Sequence, residues 1–335
     1  MDYALTDEQA MLRDAAREWL RRSYPDDRLA EIADGVGTDP RAWAEITRMG
    51  WADAAAAGSV ETAVLLEQAG YGLLPAPLFV TVGLAAALGA DASVPTTLAW
   101  AEDGARYLGD PVRTTVDGDG RVSGTKVLVP DLAAVTHAVV TTTAGPRLVA
   151  VADASVTACA SIDGTRRLGE LVLDGTPSQP LPAVEPGLAR AKMLTAAAAE
   201  AVGVAQRVVD LAVEHAKNRE QFGRIIGTYQ GVSHKIADAH VAVELARSLV
   251  TWASWALDAG DPASVLAAHA AKSDAGSAAV RACEVAIQVH GGIGMTWDSI
   301  LHRYYKRAQW LQAFEGGAPR QRAVVADALL GPVAP

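Results

Sequence analysis

The sequence predicts an α+β protein, helical at both ends with a β domain between. Three observations predict it. Helical periodicity runs from Thr6 to about Leu88. Short β-branched runs broken by Gly and Pro fill the stretch from Pro95 to Pro182. Beyond Ala189, long Ala-rich stripes recur at alternating spacings of four and three. The expected division is an N-terminal helical domain over 1–94, a middle β domain over 95–186 and a C-terminal four-helix bundle over 187–335.

Each zone has its own signals. Thr6 followed by Asp7, Glu8 and Gln9 reads as an N-cap with an acidic first turn. Arg41 to Gly50 and Val60 to Gly70 read as short helices, and Pro75 and Pro77 mark the next turn. In the middle zone, Val112 to Val116, the turn Asp117-Gly118-Asp119-Gly120 and Val122 to Val129 read as a hairpin. His137 to Thr143, Arg147 to Asp153 and Leu168 to Leu173 continue as strands, for about six in all. Pro177, Pro180, Pro182 and Pro186 mark a linker. In the last zone Val232, Ile236, Ala239, Val243, Ala246, Val250, Ala253 and Leu257 form one seam; Ala271, Ala275, Ala278, Ala282, Val285 and Val289 form another. Such seams mean packing of antiparallel helices, here joined through Gly260-Asp261-Pro262.

Bulk properties exclude several classes. With 335 residues, half of them hydrophobic and a fifth charged, the chain can bury a large core. A net charge of −10 argues against nucleic acid as the main partner, because phosphate neutralisation needs a concentrated basic surface. Cys159 and Cys283 lie far apart without metal-ligand spacing and read as buried free thiols, so no metal site is expected. The first residues carry acids, unlike a signal peptide, and Leu78 to Leu88 is too short to span a bilayer. A protein of the cytoplasm, off the membrane, is the expectation.

The chain has no P-loop, no HExxH and no GxSxG. Gly291-Gly292-Ile293-Gly294 follows a helix, which is the wrong context for a dinucleotide fingerprint. Two segments stand out. Asn218-Arg219-Glu220-Gln221-Phe222-Gly223-Arg224, followed by Tyr229-Gln230, sits at a break between long helices. An Arg at a helix end beside an aromatic ring and Gly can bind a pyrophosphate and cover a flat ring; a charged helix end with a turn is the plainer alternative. Gln288-Val289-His290-Gly291-Gly292 ends another long helix at glycines, where backbone can approach a ligand closely, or where a helix simply stops.

Taken together the segments resemble the acyl-CoA dehydrogenase family. The stretches AAEAVGVAQRVVDLAVEHAKNR, NREQFGRIIGTYQGVSHKIAD and AIQVHGGIGMTWDSILHRYYKRA carry the resemblance, with Met49-Gly50-Trp51 in a shortened N-terminal lobe. It implies the same three-zone fold, bound FAD, usually a tetramer, and oxidation of an acyl-CoA to the trans-2-enoyl-CoA. In the family a carboxylate takes the α proton while the β hydride goes to the flavin, and electrons leave to an electron-transferring flavoprotein. By the family's motifs, Arg219, Gln221 and Phe222 face the FAD of a neighbouring subunit, Gln230 follows the helix break, and Gln288, Gly291 and Gly292 hold the adenosine half. Glu315 of Phe314-Glu315-Gly316-Gly317 occupies the position of the base. Burial would raise its basicity; an exposed helix-end Glu is the alternative.

Departures qualify this. Gly317 and Pro319 replace hydrogen-bonding residues, Leu98 to Gly104 is a remnant of the loop usually over the flavin, and Lys126-Val127-Leu128-Val129-Pro130 stands where a Trp and a hydroxyl are common. The adenine-side motifs survive better than the flavin-side ones. The chain is therefore similar to one subunit of the bacterial heterotetrameric, sterol side-chain type. Two main readings follow: a catalytic dehydrogenase subunit with Glu315 as base, or a non-catalytic subunit completing a partner's FAD site. Another redox use of the fold is a third. Arg190, Lys192, Arg320 and Arg322 are candidates for CoA phosphates, against simple solvated roles.

Overall fold

The computed structural model describes residues 3–331. The first helix, α1 (Asp7–Ser23), begins with a reciprocal cap: Gln9 N–H donates to Thr6 Oγ1 at 3.2 Å, and Thr6 N–H donates to Gln9 Oε1 at 3.0 Å. Helices α2 (Asp26–Asp34), α3 (Ala42–Arg48) and α4 (Ala54–Ala57) follow, and α5 (Ser59–Tyr71) packs against α1. The apolar run after Pro77 winds as a buried π turn over Phe79–Ala85.

The middle region holds eight strands in two sheets rather than about six. One sheet has the order β1 (Thr96–Ala99), β4 (His137–Thr142), β5 (Gly145–Ala150), β8 (Gln179–Pro180), with β1 parallel to β4. The other runs β2 (Thr115–Val116), β3 (Val122–Pro130), β7 (Leu168–Thr176), β6 (Ser155–Cys159), all antiparallel. The expected hairpin is present, but its first strand is short because the amides of Arg113 and Thr114 donate to the Glu102 carboxylate instead of a ladder. A bulge between Lys126 and Val129 places Leu128 at φ 55°. Lys126 itself points inward and donates to Glu102 at 2.7 Å, fully buried.

Pro186 begins a helix rather than ending a linker. It is the first residue of α6 (Pro186–Asn218), whose N-terminus is capped by the Glu185 carboxylate on the Gly187 and Leu188 amides. The bundle continues with α7 (Gln230–Asp258), α8 (Ser264–His290), α9 (Leu301–Ala313) and α10 (Ala318–Leu330), the last packed on α8. Both expected seams face inward. From Ile236 to Leu257 the α7 seam is buried, and so are the four Ala of the α8 seam, while Val232, Val285 and Val289 are partly covered. Burying each larger side chain of this kind contributes roughly 1.5–3 kcal/mol. Where α5 meets α6, backbones touch: a Cβ on Gly70 would lie 2.1 Å from the Glu200 carbonyl oxygen, and one on Gly203 1.8 Å from that of Glu67. Cys283 is buried, whereas Cys159 is only half-buried. No helix among the described residues is long and apolar enough to cross a membrane.

Candidate active site

Glu315 sits in the turn that ends α9, and it is 4% exposed. That burial comes from aromatic packing around its neighbour. The Phe314 ring stacks on Trp310 at 5.4 Å and meets Phe79 and Trp100 edge-on at 6.1 and 5.7 Å. From the loop before β2, the Leu108 amide donates to Oε1 at 2.7 Å. Arg190 Nε stands 3.2 Å from Oε2 as an ion pair without an aligned hydrogen bond. Burial pushes the Glu315 carboxyl above the ordinary value, opposed by the Leu108 amide and by Arg190 and Arg320.

The surroundings are cationic and tight. Lys272, 2% exposed, donates to the Gln312 carbonyl at 3.1 Å, and burial lowers its ammonium to about 8 against the pull of Glu315. The Arg320 guanidinium lies 4.0 Å from the centre of the Tyr107 ring. Only about 50 Å³ remains beside Trp100, Tyr107, Leu108, Gly109, Asp110 and Thr141. That is room for a few waters. Glu315, 4% exposed and bonded by the Leu108 amide, is closed to a thioester as folded. Arg190 and Arg320, considered above for CoA phosphates, are thus occupied within the chain.

The second region is an open cavity of about 480 Å³ at the other end of the bundle. It is lined by His215, Arg219, Gln221, Phe222, Tyr229, His290, Gly291 and Gly292, with Ile226, Val232 and Val289. A miniature hairpin of β9 (Glu220–Gln221) and β10 (Arg224–Ile225) shapes its rim. The tip residues Phe222 and Gly223 take φ of 54° and 77°, as a two-residue turn with both centres left-handed requires. Phe222 pays a steric cost there of about 1–2 kcal/mol, and its ring is 94% exposed. The hairpin is tied down by Tyr229, whose hydroxyl donates to the Gln221 carbonyl at 3.2 Å, with Arg224 over the Tyr229 ring.

Five of the residues singled out in sequence therefore meet here: Arg219, Gln221, Phe222, Gly291 and Gly292. Gln230, the first residue of α7, and Gln288, near the end of α8, are exposed and not part of the wall. His215, which sequence reading passed over, and His290, quoted within a motif but given no role, stack at 4.2 Å and 23° inside the cavity. Burial, with help from His290 and Arg219, holds His215 below its ordinary value. Their signal was available, since each lies within four residues of a motif at the end of a long helix. A Cβ added at Gly223, Gly291 or Gly292 would meet nothing within 4 Å. Open glycine backbone, an Arg219 guanidinium without an ion-pair partner among the described residues and a free aromatic face fit a pyrophosphate and an adenine. Glu315, 4% exposed, is not open to a flavin ring as folded.

Comparison with known proteins shows the family. Residues 188–330 match the family described as acyl-CoA dehydrogenase, C-terminal domain. The chain is 35% identical over 255 residues to acyl-CoA dehydrogenase IpdE2 of Mycobacterium tuberculosis, covering 74% of this chain and 71% of that one. Among solved structures it resembles a Tcur3481-Tcur3483 steroid ACAD variant (TM-score 0.86, 29% identity, 96% of this chain and 97% of that chain). It also resembles a chain of the ChsE4-ChsE5 complex from Mycobacterium tuberculosis (TM-score 0.85, 25% identity, 99% and 100%). The order of helices, two sheets and Ala-seamed bundle, with these relatives, makes this chain a member of the acyl-CoA dehydrogenase family.

Proposed function

We propose that the chain is a subunit of an FAD-dependent acyl-CoA dehydrogenase that converts an acyl-CoA to the trans-2-enoyl-CoA, with Glu315 as the base. The observation that carries this is a carboxylate buried at the end of α9, raised above its ordinary value by that burial. An α proton beside a thioester is weakly acidic, and a desolvated carboxylate is the stronger base for it. When bound, FAD supplies the acceptor for the β hydride. Glu315 takes the α proton on a carboxylate oxygen, once Leu108 and Arg190 have released it. Trp100 and Phe314 keep water from the reacting carbons. Arg219, Gln221, Phe222, Gly291 and Gly292 would hold the nucleotide half of a cofactor belonging to a neighbouring chain, and Gln230 and Gln288, being exposed, could reach it across the interface. The names of the steroid ACAD and the ChsE4-ChsE5 complex support a bulky acyl group and assembly with a second subunit, and the family resemblance fits a tetramer. An electron-transferring flavoprotein fits as the acceptor of the electrons.

A second reading has its own observation. Both carboxylate oxygens of Glu315 are engaged, and the residue is only 4% exposed. On that reading the chain is the non-catalytic partner and lends only the Phe222 cavity. Visible spectra of the chain purified alone and coexpressed with a related subunit, then titrated anaerobically with acyl-CoAs, separate the two. Yellow protein bleached by an acyl-CoA, with Glu315→Gln slower by at least about 100-fold, supports catalysis in this chain. A complex that bleaches at the normal rate with Glu315→Gln sinks the base assignment and leaves the second reading.

A further inference from the structure

Glu315 stands where it does because of a turn its backbone does not favour. Directly after α9, Glu315 takes φ 53° and Gly316 φ 90°. Left-handed backbone is disfavoured for any residue with a Cβ, so something outside the turn must hold it. Two buried carbonyls in the turn face one side chain of α10. Gln321 Nε2 donates to the Glu315 carbonyl at 2.8 Å and to the Gly316 carbonyl at 2.9 Å. Both amide hydrogens are then committed, so Gln321 Oε1 can only accept. His269 Nδ1, on α8, lies 2.6 Å from that oxygen and must therefore carry its proton. Gln321 is 1% exposed and His269 7%. Burial holds His269 below its ordinary value, and the contact with Gln321 Oε1 puts the proton on Nδ1. One turn further along α8, Lys272 holds the Gln312 carbonyl of α9 from the other side.

We infer that His269 and Gln321 are positioning residues: His269 orients the Gln321 amide, and Gln321 clamps the left-handed turn that aims the Glu315 carboxylate. The inference rests on the reading of Glu315 as the base. Without the clamp, two buried carbonyls lose their donor and Glu315 relaxes toward right-handed backbone, which swings its carboxylate off the Leu108 amide. A longer turn or a different cap would not serve, because both acceptors belong to the residues on either side of the one peptide bond.

The Leu108 amide reports the position of the carboxylate without any cofactor, because it donates to Glu315 Oε1. Hydrogen exchange at Leu108 should therefore be measured on the full chain for Gln321→Leu, His269→Leu and His269→Asn. The two Leu variants are expected to speed Leu108 exchange about tenfold, the loss of one hydrogen bond to a charged acceptor. The amide of Asn can stand in for the Nδ1–H donor, so His269→Asn should exchange close to the wild-type rate. In the assembled enzyme the Leu variants should lower kcat with KM little changed. Wild-type exchange in Gln321→Leu, or His269→Asn behaving as His269→Leu, overturns the inference. If Gln321→Leu also loosens the Ala-rich core of α6, the two His269 variants decide it alone. Glu315→Gln, assayed for flavin reduction, tests the base reading separately: normal turnover there would remove the base and leave the exchange result standing.

Discussion

Asp131, Asp163, Arg166, Glu200 and Arg307 meet between the β region and the bundle, each 2% exposed or less. Three carboxylates face two guanidiniums, so one carboxylate is in excess. Asp163 and Glu200 are hydrogen-bonded by the arginines and Thr165, but Asp131 Oδ1 has no hydrogen-bond partner and Oδ2 is 3.9 Å from Arg166. Burial accordingly raises Asp131 to about 6, only partly offset by Arg166 and Arg307. With the folded value above the unfolded one, its contribution is fully present below about pH 4 and is lost as pH rises through about 6. Two units correspond to about 3 kcal/mol. Asn mimics the protonated form and tolerates the left-handed φ of 53° at this position. Asp131→Asn should thus gain about 2 kcal/mol in urea denaturation near neutral pH and nothing near pH 4. An equal effect at both pH values would show that Asp131 is ionised throughout. Little of this was legible in sequence. Glu200 was the available signal, as a lone carboxylate inside the apolar run from Thr195 to Ala205. Glu315 was found by its motif, but its burial depends on Leu108, 207 residues away.

The hairpin of β9 and β10 is an element with almost no core of its own. Glu220, Gln221, Arg224 and Phe222 are all exposed, and the hairpin is held by backbone pairing and Tyr229. Phe222→Ala removes no buried contact, so stability should change by less than about 0.5 kcal/mol. FAD retention in the assembled protein should fall if the exposed ring is a cofactor contact. A calorimetric melt and the flavin-to-protein absorbance ratio check both halves; unchanged flavin content would remove Phe222 from the site. Elements of this kind differ in how much sequence shows. The α7 and α8 seams were readable because a 3.6-residue period leaves a long record in the chain. β1, β6 and β8 were not, being only two to five residues long, with β1 and β8 paired to strands about 30 to 40 residues away. The π turn over Phe79–Ala85 is buried on every side and therefore leaves no periodic pattern.

The three zones of the molecule are joined through Arg166 and Arg307. Arg166 holds Glu200 of α6 with two bonds of 2.9 Å and lies over the Phe79 and Trp310 rings. Arg307, from α9, binds Asp163, Glu200 and both the carbonyl and hydroxyl of Thr165. One centre thus ties the helix-rich start of the chain, the loop between β6 and β7, and two helices of the bundle. Whether it matters to stability is decided by burial. Exposed ion pairs contribute about 0–1 kcal/mol, because water screens them and the side chains lose freedom. Removing one partner of a buried pair costs about 3–5 kcal/mol, because the other charge stays behind without solvent. Arg307 is fully buried. Arg307→Met keeps most of the volume but strands Asp163 and Glu200, with Arg166 their only remaining cation nearby. Urea denaturation should show a loss of about 3 kcal/mol or more. Limited proteolysis should open first between Ser161 and Arg167, the loop that Arg307 hydrogen-bonds to α9 through Asp163 and Thr165. A loss under about 1 kcal/mol with no new cleavage there would mean that apolar packing, and not this ionic centre, fixes how the sheets sit on the bundle.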